Sequence, residues 1–263
     1  VRSNPATAVV IANAVNVLVF WTFFLFLLPW NLLLNWAVLP FIAAGIAGPF
    51  LGRLTLYIGF ERVGVSLATA IYDTQVLFAV FGGILLFNEA VTYLGGSGVI
   101  LLMAGVTFLA IDPSSGNIGR PRHKKTDLLF PLVSGAFFAT SWMFRKAGVM
   151  IQPELLLGLP VVSTTSLVMS YIFAQFGPSR LVIPRDSSLM WLIGAGLATC
   201  AAQLFSLLAI RDGDLTVVIP IQNTQPLVAL ALSALFLRRF ERVTAPLILG
   251  VSLVVAGATM VNL

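Results

Sequence analysis

Charged residues are scarce in this sequence: Asp, Glu, Lys and Arg make up only 10% of its 263 residues, while 59% are hydrophobic. A water-soluble domain of this length cannot bury so much apolar surface, because a large share of its residues stays at the surface. Apolar runs of about 18 residues or more recur, each long enough to cross the hydrocarbon core as a helix. The alternating short segments of a membrane β-barrel do not occur. The composition, with a mean hydropathy of +1.00, therefore predicts an all-α integral membrane protein with several spans.

Cysteine and histidine occur once each, as Cys200 in an apolar run and His123 in a polar linker. A single cysteine excludes an intrachain disulfide, and the sequence has no metal-ligand spacing, nucleotide-binding loop or nucleophile triad. We therefore predict no catalytic residue, no metal and no cofactor. The net charge of +5 comes from loop Lys and Arg, which in a membrane protein sets orientation and does not indicate nucleic acid. The expected partners are a small-molecule substrate and the lipid bilayer, and we expect a monomer or a homodimer.

The apolar runs and the breaks between them predict nine helices. Their approximate bounds are 6–28, 37–60, 65–87, 93–111, 128–149, 154–176, 189–210, 215–237 and 244–263. One connection is long, polar and basic, the linker 112–127. It separates a first segment, 1–111, from a second segment, 128–263.

The two segments repeat each other, which is the first symmetry to seek in a sequence. An offset of 150 residues aligns Thr74 and Gln75 with Thr224 and Gln225. An offset of 152 aligns Glu89 with Glu241, and the glycine pair Gly98 and Gly105 with Gly250 and Gly257. The glycine pairs predict close helix contacts. The first segment lacks a counterpart of the helix that opens the second, so we expect a missing first helix and a plan of two inverted five-helix repeats.

The distribution of basic residues predicts the orientation. Eleven of the fifteen Lys and Arg fall in the connections on the side of the linker 112–127, and the other side receives Arg145, Lys146 and Arg211. By the positive-inside rule, the linker is predicted to be cytoplasmic.

The ends of the two segments read LFNEAVTYLGGSGVILLMAGV and FLRRFERVTAPLILGVSLVVAGATMV. Each has an apolar helix ending in Glu, then Thr, then a helix with Gly and Ala-Gly. This pattern resembles the repeat ends of the EamA family of the drug/metabolite transporter (DMT) superfamily, and QNTQPLVALALSALFL resembles the preceding family helix. The resemblance implies ten helices in two inverted repeats, a small-molecule transporter of the cell inner membrane, and a cavity among the first, third and fourth helices of each half. Val76 departs from the pattern, because Pro226 stands at the matching position.

Two charged residues, Arg53 and Asp73, fall inside predicted helices. The tight turn ERVG makes these helices an antiparallel hairpin, which places both residues about 10–12 Å from the boundary. An unpaired charge at that depth costs at least about 2.5–3.5 kcal/mol, so we expect an Arg53–Asp73 ion pair facing the interior of the bundle. The offset of 150 carries the pair to Gln203 and Asn223, a neutral pair that can still form hydrogen bonds.

Gln75, Gln225 and Trp142 complete the candidate substrate-binding residues, and Asp73 is the candidate proton carrier. Helix-to-helix hydrogen bonding alone is the competing explanation for these polar residues. The same alternative applies to the Ser and Thr residues of 163–170, which we expect to bond their own helix. For Glu89 and Glu241, solvation at a helix boundary and a gating salt bridge both remain open.

These features predict a secondary active transporter, not an enzyme, that exports small metabolites such as amino acids by alternating access. An exchanger of phosphorylated or nucleotide-linked sugars is the alternative within transport, but it calls for more cationic residues than Arg53. A membrane-embedded lipid-modifying enzyme and a scaffold are the alternatives outside transport.

Overall fold

The computed structural model describes residues 5–27, 29–111, 124–152, 155–176, 187–224 and 245–261. Within these ranges the regular secondary structure is helical throughout, which confirms the predicted fold class. The helices are α1 (Pro5–Leu27), α2 (Val38–Gly45), a π-helical segment (Ile46–Gly52), α3 (Arg53–Val63), α4 (Val65–Tyr72), α5 (Gln75–Phe87), α6 (Tyr93–Ile111), α7 (Leu129–Ile151), α8 (Leu155–Phe176), α9 (Ser187–Asp212), α10 (Leu215–Gln222) and α11 (Ala245–Val261). Short 3-10 turns occupy Trp30–Leu34 and Lys125–Leu128.

Five stretches of the described chain are long and apolar enough to cross a membrane as helices: Val9–Leu27, Val38–Val63, Thr126–Ile151, Leu157–Gln175 and Leu189–Asp212. Three shorter helices are also apolar: Gln75–Phe87, Tyr93–Gly105 and Ser252–Val261. Many large apolar side chains are exposed, among them Phe26, Leu34 and Trp191. Lipid is the medium that accepts such a surface without cost, so the predicted multi-pass membrane protein is confirmed.

The described chain forms two compact units, and each takes segments from both halves of the sequence. Unit 1 comprises Val1–Leu54 and Thr140–Asp212, and unit 2 comprises Thr55–Ala139 and Gly213–Leu263. The unit boundaries fall inside α3 and α7, and do not follow the linker 112–127. The predicted division into the repeats 1–111 and 128–263 concerns sequence symmetry, and it stays a prediction.

The core of unit 1 forms where α1 and α2 pack against α8. Phe41 of α2 is fully buried at its centre. Its ring occupies a notch between Gly148 of α7 and Gly158 of α8, where a Cβ on either glycine would overlap the ring atoms. Large aromatic rings bury much apolar area, so this fit holds three helices of unit 1 together.

The main contact of unit 2 is a glycine seam between α6 and α11. A Cβ on Gly98 would lie 2.8 Å from the carbonyl oxygen of Gly257, and one on Gly105 would lie 2.8 Å from that of Gly250. The earlier glycine of one helix faces the later glycine of the other, so α6 and α11 run antiparallel. The close helix contact predicted from the two glycine pairs is confirmed. The backbones of α6 and α11 approach each other closely because glycine has no side chain at the contact.

Candidate functional site

In unit 2, one helix is interrupted and another ends at positions that the 150-residue offset aligns. The predicted single helix 65–87 is broken into α4 and α5 by a turn at Asp73 and Thr74, and α10 ends in a turn at Asn223 and Thr224. In each turn the threonine N–H donates to the carbonyl three residues back, at 3.1 Å for Thr74 and 3.0 Å for Thr224. Each threonine hydroxyl donates to that same carbonyl, at 2.6 and 2.8 Å respectively. A side chain that shares a backbone acceptor in this way weakens the helical pattern locally.

The polar side chains at these two turns bond each other. Asn223 donates through Nδ2 to Asp73 Oδ1 at 3.3 Å and to the backbone oxygen of Asp73 at 3.4 Å. Gln75 donates through Nε2 to Asn223 Oδ1 at 3.0 Å. All three side chains are at least 96% buried. Asp73 Oδ2 and Gln75 Oε1 are left without a hydrogen-bond partner in the described part of the chain, so the cluster has two buried acceptors to offer.

Glu89 has a structural role in the same unit. Its buried carboxylate accepts the N–H of Leu215 at 3.0 Å and that of Thr216 at 2.9 Å, which are the first two residues of α10. The first amides of a helix have no partner within the helix, and a carboxylate there also interacts favourably with the helix dipole. Glu89 therefore fixes the start of α10. Its repeat partner Glu241 lies outside the described residues.

In unit 1 the membrane-spanning stretch Val38–Val63 contains the π-helical segment Ile46–Gly52, with Pro49 inside it. Proline has no N–H to donate to the carbonyl of Ala44 five residues back, and Ser141 of α7 donates its hydroxyl to that carbonyl at 2.8 Å instead. Segments of π-helix occur often at functional sites, because the extra residue redirects the side chains that follow. Here the first residue after it is Arg53.

Arg53 reaches a polar chain that runs from α3 to α8. Its Nη1 donates to Asn13 Oδ1 of α1 at 3.3 Å, and Asn13 Nδ2 donates to Ser166 Oγ of α8 at 2.8 Å. Asn13 and Ser166 are both buried. Asn16, one turn further along α1, accepts from Thr199 Oγ1 at 3.2 Å and Cys200 Sγ at 3.0 Å. The helices α1, α8 and α9 of unit 1 thus contribute polar groups to this region, and Arg53 contacts one of them, Asn13.

Trp142 and Gln203 both contact Arg145, which the count of basic residues placed on the side opposite the linker 112–127. Arg145 is buried within α7, with its guanidinium 4.9 Å from the centre of the Trp142 ring and its Nη2 donating to Gln203 Oε1 at 3.3 Å. The orientation prediction counts Arg145 and Lys146 with the charges of the side opposite the linker, although both fall within the predicted helix 128–149. Both lie inside α7, which continues to Ile151, and both are buried. These two residues therefore no longer count toward the difference in basic charge from which the orientation is predicted.

The structure thus groups the predicted site residues in two sets. Asp73, Gln75 and Asn223 bond one another in unit 2, while Trp142 and Gln203 flank Arg145 in unit 1. The predicted Arg53–Asp73 ion pair joins residues of different units and stays a prediction. Gln225 lies outside the described residues.

Sequence reasoning missed Asn13, Asn16 and Arg145. The two asparagines stand three residues apart in an otherwise apolar helix, a spacing that puts both on one helix face and could have identified them. In the serine and threonine run, Thr165 does bond its own helix, through Val161. Thr164, however, accepts from Trp21 Nε1 at 2.8 Å.

Metal binding has no support in the described ranges, where no three His, Cys, Asp or Glu side chains come together. The one free cysteine, Cys200, is buried.

The helices, their apolar surfaces and their buried polar groups are those of a multi-pass helical membrane protein. The sequence profile of the EamA-like transporter family matches residues 125–263, more than half of the chain. The chain therefore belongs to the EamA-like transporter family. A solved structure described only as "Crystal structure of protein" is similar in fold, with a TM-score of 0.79 and 15% identity, over 100% of this chain and 90% of that one. No curated protein sequence matches the chain.

Proposed function

We propose that this protein is a secondary active transporter that exports small metabolites, such as amino acids, across the cell inner membrane by alternating access. Its membership of a transporter family supports the general class. The observation that carries the finer proposal is the pair of matched turns, at Asp73–Thr74 between α4 and α5 and at Asn223–Thr224 at the end of α10.

Interrupted helices have a specific meaning inside a membrane. Backbone that leaves the helical hydrogen-bond pattern is tolerated there only where protein or a water-filled cavity satisfies it. Interruptions at corresponding positions of two repeats mark the substrate site in many secondary transporters. Here the helix break at Asp73–Thr74 and the turn that ends α10 occur 150 residues apart and are joined by the Asp73–Asn223 bond, and the first of them carries the unsatisfied acceptors Asp73 Oδ2 and Gln75 Oε1. Those acceptors suit the ammonium group of an amino acid or a transported proton.

The proposal includes two inverted repeats. The repeated helices α6 and α11 run antiparallel and meet glycine against glycine, and the repeated residues Asp73 and Asn223 bond each other. A two-fold axis in the membrane plane brings equivalent segments together in this antiparallel manner. In this arrangement Asp73 carries the coupled proton, and the linker 112–127 faces the cytoplasm.

Exchange of phosphorylated or nucleotide-linked sugars is the second candidate, and one observation favours it. The sequence alone offered a single cation, Arg53, at the depth of a substrate, which is little for a phosphate. Arg145 adds a second buried guanidinium in unit 1.

Uptake by the purified protein in proteoliposomes tests the proposal. A panel of labelled amino acids and sugar phosphates is offered with and without an imposed pH gradient, and protein-free liposomes are the control. We expect at least one solute to accumulate faster than in the control and to respond to the gradient. If no solute enters faster than in protein-free liposomes, the protein is not a transporter of these classes.

A further inference from the structure

The guanidinium of Arg145 is poorly satisfied for a charged group buried in unit 1. It is 97% buried, and its Nη2 donates to a neutral acceptor, Gln203 Oε1, at 3.3 Å. Its Nε and Nη1 are buried as well and have no hydrogen-bond partner among the described residues. Buried guanidinium groups are normally paired, because five N–H donors and a full charge are costly to remove from water.

Arg145 lies well inside its helix and its side chain is buried, so it does not reach the surface of unit 1. It stands six residues before the end of α7, which corresponds to about 9 Å along the helix axis. Its neighbour on one side is the ring of Trp142, at 4.9 Å. An aromatic face attracts a cation but accepts no hydrogen bond of ordinary strength, so it leaves the N–H groups available for a stronger acceptor.

The described residues of unit 1 supply no carboxylate that balances this charge. The segments that form the unit contain three acidic residues, Glu154, Asp186 and Asp212. Asp212 is the last residue of α9 and is held by Arg211, with contacts of 2.7 and 2.9 Å. Glu154 and Asp186 lie outside the described residues, and in the sequence they directly precede the helices α8 and α9.

A second positive charge lies in the same unit. Arg53, in the middle of the stretch Val38–Val63, donates to the neutral Asn13 and acts electrostatically on Arg145. Like charges in a low-dielectric medium repel strongly, and a shared anion converts that repulsion into attraction. Two arginines that bond neutral side chains in the described part of unit 1 thus form an electrostatic site for a negative group.

We propose that Arg145, positioned by Gln203 and Trp142 and assisted by Arg53, binds the oxyanion group of the transported substrate, either a carboxylate or a phosphate. The proposal rests on the transport function proposed above and names the chemical class of its substrate. Arginine donors form their strongest hydrogen bonds with carboxylate and phosphate oxygens, and Nε and Nη1 are the donors available. The bound oxyanion supplies both the missing acceptors and the missing charge.

Thermal unfolding of the purified protein in detergent tests binding without requiring transport. The probes are L-leucine for a carboxylate, L-leucinamide as its counterpart without one, and glycerol 3-phosphate for a phosphate. We expect L-leucine or glycerol 3-phosphate, but not L-leucinamide, to raise the unfolding temperature of the parent protein. Stabilisation by L-leucine identifies the carboxylate as the source of the oxyanion, and stabilisation by glycerol 3-phosphate identifies the phosphate.

Variants assign the effect to Arg145. Arg145→Gln should weaken binding of the effective probe by about 30-fold or more, since one partner of a buried charged contact is lost. Arg145→Lys keeps the charge and should retain part of the binding. Arg62→Gln is the charge-matched control: it removes one positive charge from an exposed side chain that pairs with Asp127, and should bind as the parent does. Gln203→Leu, which keeps Arg145 but removes its acceptor, covers the case in which Arg145→Gln does not fold.

The outcomes separate this inference from the transport proposal. If neither oxyanion stabilises the parent, or if Arg145→Gln and Gln203→Leu both bind like the parent, Arg145 only packs unit 1 and the inference is wrong. Transport that persists in Arg145→Gln with an unchanged KM for the anionic solute leads to the same conclusion while leaving the transporter function intact. Conversely, binding that depends on Arg145 in a protein that transports nothing supports the oxyanion site and removes the transport proposal.

Discussion

Asn223 donates its side-chain amide to the carboxylate of Asp73 at 3.3 Å, although 150 residues separate them in the chain. The same offset relates the two repeated sequences, so each residue of this pair occupies the other's position in its own repeat. One residue of the pair donates and the other accepts, so a change to either alters both the turn between α4 and α5 and the turn that ends α10.

Asn223→Leu should destabilise the protein, because it leaves Gln75 Nε2 and the carboxylate of Asp73 without their shared partner. Each buried polar group left without a hydrogen bond costs about 1–3 kcal/mol. Reversible unfolding in mixed micelles measures the loss. Thr22→Val is the matched control, since the exposed hydroxyl of Thr22 bonds within its own helix, to the carbonyl of Leu18. Equal stability of the two variants would contradict the hydrogen-bonded cluster of Asp73, Gln75 and Asn223.

Asp73→Asn should remove the response of transport to a pH gradient. The amide keeps the size of the carboxyl group and can still bond Asn223, but it can carry no proton. The measurement is initial uptake in proteoliposomes at equal internal pH and several external pH values. Glu61→Gln, which neutralises an exposed carboxylate near the end of α3, should retain the parent's response. A normal gradient response in Asp73→Asn would assign the proton to another group.

Gly257→Ala should separate α6 from α11. The added Cβ would lie 2.6 Å from the carbonyl oxygen of Gly98, and backbone cannot move aside as a flexible side chain can. Overpacking of this kind typically costs about 1–3 kcal/mol. Gly194→Ala in α9 is the opposite case, because no atom lies within 4 Å of its added Cβ. There the helix should gain about 0.5–1 kcal/mol in stability. Changes of the same sign in the free energy of unfolding, each relative to the parent protein, would contradict the glycine seam.

Glu89→Ala should loosen the start of α10. It removes the acceptor of the Leu215 and Thr216 amides, at a cost of about 1–3 kcal/mol for the groups left unbonded. Hydrogen exchange followed by mass spectrometry should show faster exchange in a peptide covering these two residues. Glu89→Gln keeps one acceptor oxygen and should lie between the parent and Glu89→Ala. Unchanged exchange in the alanine variant would mean that Glu89 does not cap this helix.

The helices were predictable because apolar length and turn residues determine them almost alone. The prediction 93–111 coincides with α6, and 154–176 differs from α8 by one residue. The break at Asp73 and Thr74 was not predicted, since no proline or glycine marks it and Val76 continues the apolar run. The contacts found at the break, from the Thr74 hydroxyl to the carbonyl of Ile71 and from Asn223 to Asp73, are ones that composition does not reveal.

The candidate site was predictable only in part, for a physical reason. The repeat offset related Asp73 to Asn223, but an offset compares positions and carries no information about which residues touch. Arg145 was treated as a charge near a membrane boundary, where long basic side chains usually reach water. Only the three-dimensional placement of Gln203 and Trp142 around it reveals a guanidinium that remains buried.

The interleaving of the two compact units has a consequence for biosynthesis. Unit 1 needs the first helices and then α9, so it cannot close until the ribosome has passed residue 212. Unit 2 needs α11, which is translated after all the other described helices. Asp73 and Gln75 must therefore reside in the bilayer without Asn223, their partner, while α7 to α9 are made. A nascent chain released after residue 111 would contain neither unit, and quality-control proteases should remove it.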